Sequence, residues 1–212
     1  CMIVFILGRT GSGKSTTARF LGEVAQRSGL FVQSLNDYPF LRKMFETDTA
    51  HRFRATEHDG FEVLDRSVFP GAIRSLAHQV QGYYPTDDQT LITVEFTSNN
   101  YRDALQCFDS ELLQDAHFLF LNVDLITCLE RTCKRVFNQT TKDDYYVKAT
   151  VLLGHYPCPY MPLCIGERKA QYIENMGSLG DLYRSLQTLV YTLLEQPERS
   201  KNSSLREAAL PY

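Results

Sequence analysis

Residues 8–15 read Gly-Arg-Thr-Gly-Ser-Gly-Lys-Ser and match the pattern G-x-x-x-x-G-K-[ST]; we call them the glycine-rich loop. The continuously apolar run 2–7 precedes the loop and is typical of a strand buried on both faces of a parallel sheet. Residues 15–28 then show an apolar helical stripe, and Gly29 stands where a helix commonly ends. This order of strand, loop and helix predicts the first half of a βαβ unit.

The spacing within the glycine-rich loop suits the phosphates of a nucleotide. Glycines let the backbone N–H groups wrap a phosphate, and the following helix N-terminus adds a favourable dipole. Lys14 can reach the β- and γ-phosphates of a nucleotide, and the Ser15 hydroxyl can bind Mg²⁺. A chance glycine-rich turn is disfavoured, because the loop follows a strand and opens a helix. The predicted nucleotide-binding residues here are Gly8, Arg9, Thr10, Gly11, Ser12, Gly13, Lys14, Ser15 and Thr16.

Length and composition restrict the class of protein further. The 212 residues suit one α/β domain over 1–195 with a polar tail at 196–212. The chain is 43% hydrophobic and carries a formal net charge of -3, which disfavours both disorder and a dedicated duplex nucleic-acid binder. No apolar run is long enough to span a bilayer, and the 6 cysteines form no dense disulfide framework. We therefore expect a cytoplasmic protein that does not contact membranes.

Apolar runs and helical patterns alternate along the rest of the chain. Further strands are predicted at 31–35, 91–96, 117–123 and 171–174, and further helices at 69–81, 101–113, 125–137 and 178–195. The remainder of 40–88 has a less regular pattern. The alternation predicts an open parallel sheet with helices on both faces.

On these features the chain resembles the P-loop NTPase superfamily, and within it the small-molecule kinases similar to nucleoside and nucleotide kinases. The resemblance covers most of residues 2–195 and depends chiefly on the glycine-rich loop. It implies a three-layer α/β/α fold with a roughly five-stranded parallel sheet. It also implies an acceptor-binding segment within 40–88 and a lid region within 125–169.

Asp37 is the predicted catalytic base. Asn36-Asp37-Tyr38 closes the second predicted strand and is similar to the Asp-Asp-Phe-Tyr element of uridine kinase and phosphoribulokinase relatives, with Asn36 replacing the first Asp. The resemblance implies that the Asp37 carboxylate faces the acceptor hydroxyl, where a base can take the proton. The alternative is a solvated turn aspartate next to Pro39.

Two acids compete for the Mg²⁺ site that the resemblance implies. Glu95 ends the apolar strand 91–96 and is similar to a Walker B acid, which together with Ser15 would hold the metal. Asp124 follows another apolar strand but leads directly into a helix. We favour Glu95 and leave Asp124 as the rival.

Three cations at 131, 134 and 135 share one face of a predicted helix. The resemblance implies that Arg131 and Arg135 act catalytically from the lid by neutralising the moving phosphoryl group. A solvated face, with Glu130 paired to Lys134, is the alternative. Residues 173–178 are similar to an Asp-Asn-x-Gly-Ser stretch of these kinases, which implies that Asn175 lies beside the nucleotide base; Ser178 as a plain helix cap is compatible with this.

Two weaker patterns remain. Cys133, His155, Cys158 and Cys164 could bind Zn²⁺, but no Cys-x-x-Cys pair is present, and the prolines around 157–162 favour a rigid loop. Arg52, Arg54 and His58 could hold an acceptor phosphate or base, and a salt-bridged surface is equally compatible.

The sequence therefore predicts a kinase that uses Mg²⁺ and ATP and acts on a small molecule such as a nucleoside, a nucleotide or a sugar-like alcohol. The alternatives are a nucleotide-binding regulatory ATPase module and a polynucleotide 5′-hydroxyl kinase; the charge disfavours the latter. The acceptor, the choice between ATP and GTP, and the oligomeric state stay open.

Overall fold

The apolar runs form the strands of a parallel sheet, and the amphipathic segments between them form helices that cover it. The computed structural model describes residues 1–56, 60–84, 89–98, 100–138, 145–147 and 170–194. The strands are β1 (Met2–Gly8), β2 (Phe31–Asn36), β3 (Phe53–Ala55), β4 (Phe61–Val63), β5 (Thr90–Glu95), β6 (His117–Asn122), β7 (Tyr145–Val147) and β8 (Ala170–Glu174). The helices are α1 (Lys14–Arg27), α2 (Tyr38–Glu46), α3 (Val68–Tyr83), α4 (Tyr101–Leu105), α5 (Ser110–Asp115), α6 (Leu125–Asn138) and α7 (Leu179–Leu194).

The main sheet has five strands in the order β2-β5-β1-β6-β8, and all neighbouring pairs are parallel. Strand β1 is central because it pairs with β5 on one side and β6 on the other. This arrangement confirms the predicted three-layer α/β/α fold with a five-stranded parallel sheet.

Alternation along β1 builds the core on both faces of the sheet. Ile3, Phe5 and Leu7 pack with side chains of α3, α4 and α5. Val4 and Ile6 point the other way and pack with side chains of α1 and α7. The two-residue period of a strand thus explains why the whole run is apolar.

A second, smaller sheet covers part of the segment predicted to bind the acceptor. Strands β3 and β4 are antiparallel, and β7 pairs in parallel with β4. Phe45, Phe53 and Phe61 pack together beneath this sheet, with ring centroids 5.1–6.1 Å apart. Because β7 falls within the predicted lid region, a piece of that region is hydrogen-bonded to the predicted acceptor segment.

The helix predicted over 101–113 is wrong, because the chain forms two helices there. The side chain of Asn100 caps α4 by accepting from Asp103 N–H. The Asp109 carboxylate then caps α5, accepting from Glu111 N–H at 2.8 Å and Leu112 N–H at 3.4 Å. A capping aspartate starts a new helix where the apolar pattern alone continues the old one.

Helix α2 was not predicted. Pro39 stands in its first turn, where the missing N–H costs nothing, so the residue that suggested a turn begins a helix. In the part of the chain that the structure describes, no helix is long and apolar enough to cross a membrane.

Candidate functional site

The carboxyl ends of β1, β2 and β5 meet at one edge of the sheet, where ligands of open α/β folds bind. Between this edge and α6 lies a cleft of about 390 Å³, which we call the candidate cleft. It is lined by Thr10, Gly11, Gly13, Lys14, Ser15, Thr16, Asn36, Asp37, Tyr38, Glu95, Phe96, Thr97, Arg131, Lys134 and Arg135. The lining contains all the residues that we predicted to be catalytic, and both residues that we favoured for binding Mg²⁺. Of the predicted nucleotide-binding set, Gly8, Arg9, Ser12 and Asn175 lie outside the lining.

The backbone of the glycine-rich loop adopts a shape that only glycine tolerates at two of its turns. Gly11 and Gly13 have φ angles of +85° and +99°. A Cβ atom on Gly11 would lie 2.5 Å from the Cys128 carbonyl oxygen, and one on Gly13 would lie 2.7 Å from Asn175 Nδ2. The Thr10 hydroxyl is buried at the cleft and has no hydrogen-bond partner within the described residues. The glycines thus let the loop pack closely against α6 and Asn175, and the Thr10 hydroxyl leaves polar capacity at the cleft that suits a phosphate group.

The Lys14 ammonium group lies between the loop and the end of β5. Its Nζ donates to the carbonyl oxygens of Gly8 and Arg9, both at 3.0 Å, and to Thr97 Oγ1 at 2.9 Å. Burial lowers the pKa of Lys14, and the carboxylates of Glu95 and Asp37 oppose this effect. The side chain is therefore a partly desolvated cation at the position where the sequence predicts phosphate binding.

Asp37 lies at the end of β2 and is 5% exposed, so it is not a solvated turn residue. Its carboxylate accepts from Thr97 N–H at 3.3 Å. Burial raises the pKa of Asp37 to about 7, although Lys14 and the Thr97 N–H pull it down. A carboxyl group with such a pKa exchanges its proton near neutral pH, which is a property of general bases.

Thr97 and Tyr101 are residues of this site that the sequence analysis missed. Thr97 bonds Lys14 through its hydroxyl and Asp37 through its N–H. The buried Tyr101 hydroxyl bonds both backbone groups of Gly8. Neither residue belongs to a recognisable motif; only their position just after β5 indicates closeness to the cleft.

The two rival acids occupy different environments. Ser15 Oγ donates to Glu95 Oε2 at 2.9 Å, within the candidate cleft. Asp124 instead caps α6, accepting from the N–H of Thr127 at 2.8 Å and from its hydroxyl at 2.7 Å. A hydroxyl and a carboxylate are the oxygen ligands that Mg²⁺ prefers, so the chemistry of Ser15 and Glu95 fits this ion.

The helix α6 directs its three cations, at 131, 134 and 135, into the candidate cleft. Arg131 also donates to the Gly177 carbonyl oxygen at 3.4 Å. Arg9 of the loop is buried and donates to the Val123 carbonyl oxygen at 3.4 Å. Arg9 thus braces the loop against the segment before α6.

The side chain of Asn175 binds the backbone of the glycine-rich loop from outside the cleft lining. Its Nδ2 donates to the Ser12 carbonyl oxygen at 2.8 Å, and its side chain is buried. The contact fixes the loop backbone just before Gly13. Contact of Asn175 with a nucleotide base stays a prediction.

The two weaker patterns receive less support. Arg52 forms an ion pair with Asp48, and Arg54 forms one with Glu62. No group of three or more potential metal ligands occurs within the described ranges. Cys133 is exposed there, whereas His58, His155, Cys158 and Cys164 lie outside these ranges.

We expect Asp37→Asn to raise the free energy of unfolding. This increase should be about 2 kcal/mol larger at about pH 8 than at about pH 5. The folded-state pKa of Asp37, about 7, lies above the ordinary value of 3.8. The folded state therefore favours the protonated carboxyl, and the stability that this form contributes to the wild-type protein is lost as the pH rises toward 7. Asn cannot ionise and removes the loss. Urea denaturation of both proteins at the two pH values measures the difference.

Asp65 supplies the control, because the N–H of Ser67 holds the pKa of its exposed carboxyl low. Asp65→Asn should not stabilise the protein at either pH. If Asp37→Asn behaves like this control, the Asp37 carboxyl is not desolvated in solution.

No protein-family model matches the chain, and no curated protein matches it. Solved structures do match. The APS kinase CysC of Mycobacterium tuberculosis, solved with AMPPNP and APS, is 17% identical with a TM-score of 0.57, covering 92% of this chain and 98% of its own. Kti12 of Chaetomium thermophilum, solved with ADP-AlF3, is 14% identical with a TM-score of 0.56, covering 90% and 98%. Shikimate kinase of Acinetobacter baumannii, solved with shikimate, is 16% identical with a TM-score of 0.50, covering 93% and 96%.

Each similarity extends over nearly the whole length of this chain and of the matching chain. At sequence identities of 14–17%, the similarity supports a shared fold and nothing more. The sheet order, the glycine-rich loop between β1 and α1, and the cleft at the carboxyl edge agree with them. The chain has the P-loop kinase-like fold.

Proposed function

We propose that the chain is a cytoplasmic kinase that uses Mg²⁺ and ATP to phosphorylate a hydroxyl group of a small molecule. The observation that carries the proposal is the buried Asp37 carboxyl, with a pKa of about 7, in the same cleft as Lys14 and the glycine-rich loop. A base at this point serves an acceptor hydroxyl.

In this proposal the loop amides and Lys14 bind the phosphates of ATP. Arg131 and Arg135 neutralise charge on the phosphoryl group as it moves. Ser15 and Glu95 would hold Mg²⁺, which neutralises phosphate charge when bound. Catalysis then consists of positioning and electrostatic stabilisation, with α6 shielding the cleft from water.

Asp37 orients the acceptor hydroxyl and takes its proton during transfer. Its side chain lines the cleft beside Asn36 and Tyr38, which can contribute polar and aromatic contacts to the acceptor. The cleft volume of about 390 Å³ falls in the range of small-molecule sites. Two of the similar structures contain small acceptors, shikimate and APS, which supports an acceptor of that size here.

A panel of nucleosides, nucleotides and sugar-like alcohols, scored by ADP release with ATP and Mg²⁺, tests the proposal. A kinase shows ADP release that one class of acceptor stimulates. A regulatory ATPase module shows slow release that no acceptor changes. A polynucleotide kinase shows oligonucleotide binding that weakens steeply with salt.

The first prediction concerns Lys14. We expect Lys14→Ala to lower kcat/KM by at least about 100-fold, because a cation that stabilises the transferring phosphoryl group is lost. Lys43 lies exposed on α2, outside the cleft lining, and Lys43→Ala is the matched control. Circular dichroism checks that both variants fold. Unchanged turnover in a folded Lys14→Ala protein would contradict nucleotide use at this loop.

The second prediction concerns Asp37. We expect Asp37→Asn to keep ATP affinity within a few-fold while kcat falls by ~10²–10⁴, the range for loss of a general base. In the wild-type protein kcat/KM should rise with pH and level off above about 7, since only the ionised carboxylate accepts a proton. The variant should lack this step. Turnover near that of the wild type would remove Asp37 from the mechanism.

The third prediction separates the two acids. Glu95→Gln should raise the Mg²⁺ concentration needed for half-maximal activity by about 10-fold or more, because a carboxylate ligand is lost. Asp124→Asn should leave this concentration unchanged, since Asp124 bonds Thr127 at the start of α6. Titration of activity with Mg²⁺ measures both. The reverse pattern assigns the metal to Asp124.

A further inference from the structure

The hydroxyl of Tyr101 replaces a missing strand partner at the end of β1. Strand β1 pairs with β5 as far as Ile6, which stands opposite Glu95. Two residues further on, Gly8 still pairs with β6 but no longer with β5. Its N–H donates to the Tyr101 hydroxyl at 2.9 Å, and that hydroxyl donates back to its carbonyl oxygen at 2.9 Å. One side chain thus satisfies both backbone groups of the first residue of the glycine-rich loop.

The setting of Tyr101 makes this contact rigid. The side chain is 2% exposed, and its ring packs against Phe96 with centroids 5.6 Å apart. Burial raises the pKa of the Tyr101 hydroxyl, so it remains a protonated donor at neutral pH. Because buried backbone groups need partners, losing this hydroxyl would leave the Gly8 N–H without one on that side and would leave the Gly8 carbonyl oxygen dependent on Lys14.

The Gly8 carbonyl oxygen also accepts from Lys14 Nζ, at 3.0 Å. It therefore receives two donors, one from Lys14 and one from Tyr101. A phosphate that attracts the ammonium group competes with its present acceptors. The Tyr101 bond keeps the Gly8 carbonyl paired when the ammonium group turns to the phosphate, which lowers the cost of that movement.

We propose that Tyr101 is a positioning residue of the nucleotide site, which fixes the start of the glycine-rich loop and releases Lys14 for phosphate binding. This inference rests on the proposed function, since it needs a nucleotide in the candidate cleft. Tyr101 acts through Gly8 and lies outside the cleft lining. It should therefore affect the ligand groups that the loop and Lys14 hold, which are the β- and γ-phosphates.

The test measures binding of ATP, ADP and AMP to Tyr101→Phe by calorimetry, well below its melting temperature. Phe keeps the buried ring and removes only the hydroxyl. We expect affinity for ATP and ADP to fall by about 10-fold, as expected for unpaired buried groups, and affinity for AMP to change less than about 2-fold. Tyr84→Phe is the matched control, because it removes a hydroxyl that bonds Asp115, away from the loop.

The outcomes separate this inference from the proposed function. If the wild-type protein binds none of the three nucleotides, the proposed function fails, and the role of Tyr101 fails with it. If the wild-type protein binds ATP and Tyr101→Phe binds it equally well, only the role of Tyr101 is overturned. An equal loss for AMP and ATP also overturns it, because a general loss of structure does not select the outer phosphates.

A second measurement needs no variant. Amide hydrogen exchange at Gly8 in the wild-type protein should stay slow after ADP binds, since the bond to Tyr101 persists while Lys14 moves. Faster exchange at Gly8 in the ADP complex would show that the Tyr101 bond breaks on binding, which overturns the inference.

Discussion

The ammonium group of Lys14 joins three parts of the chain at the edge of the sheet. It donates to the backbone of the glycine-rich loop and to the hydroxyl of Thr97, whose own N–H donates to the Asp37 carboxylate. Loop, end of β5 and end of β2 are therefore connected through one cation. A partly buried cation needs such oxygen partners and nearby carboxylates, and three of the residues that supply them, Thr97, Glu95 and Asp37, line the candidate cleft. The position of the site thus follows from how the protein satisfies this single charge.

The charge of the candidate cleft differs from that of the protein. The chain as a whole carries a formal net charge of -3, yet four cationic and only two acidic side chains line the cleft. Low-dielectric walls strengthen this local positive potential, which is what the proposed binding of a polyanion such as ATP requires. The excess of positive charge comes from α6, which supplies three of the four cationic side chains in the lining. In the proposed function, a nucleotide in the candidate cleft would meet cationic side chains both from α6 and from the glycine-rich loop.

The local periodicity of the sequence predicted the main strands and helices, but it did not predict the contacts between residues far apart in the chain. The apolar run before the glycine-rich loop and the amphipathic pattern after it predicted β1 and α1, because burial on a sheet or helix face leaves a repeat in the sequence. The bonds from Lys14 to Thr97, from Gly8 to Tyr101 and from Asn175 to Ser12 join residues 83, 93 and 163 positions apart. Such pairs leave no repeat, and their residue types are common. The break between α4 and α5 was missed for a different reason: Asp109 was a visible capping signal that the apolar pattern outweighed.

Asp37 is distinguished from the other acids by the energetic cost of its burial, and not by its residue type. It stands at the N-cap position of α2, where an aspartate usually accepts from the helix backbone, but its side chain makes no such bond. Asn36 supplies the nearby turn contact instead, accepting from the Tyr38 N–H at 3.0 Å. The carboxyl of Asp37 is thus buried at a cost to stability above neutral pH and performs no capping in return. In the proposed function this cost has a use, since the same desolvation that destabilises the Asp37 carboxylate beside the glycine-rich loop would make it a stronger base for an acceptor hydroxyl.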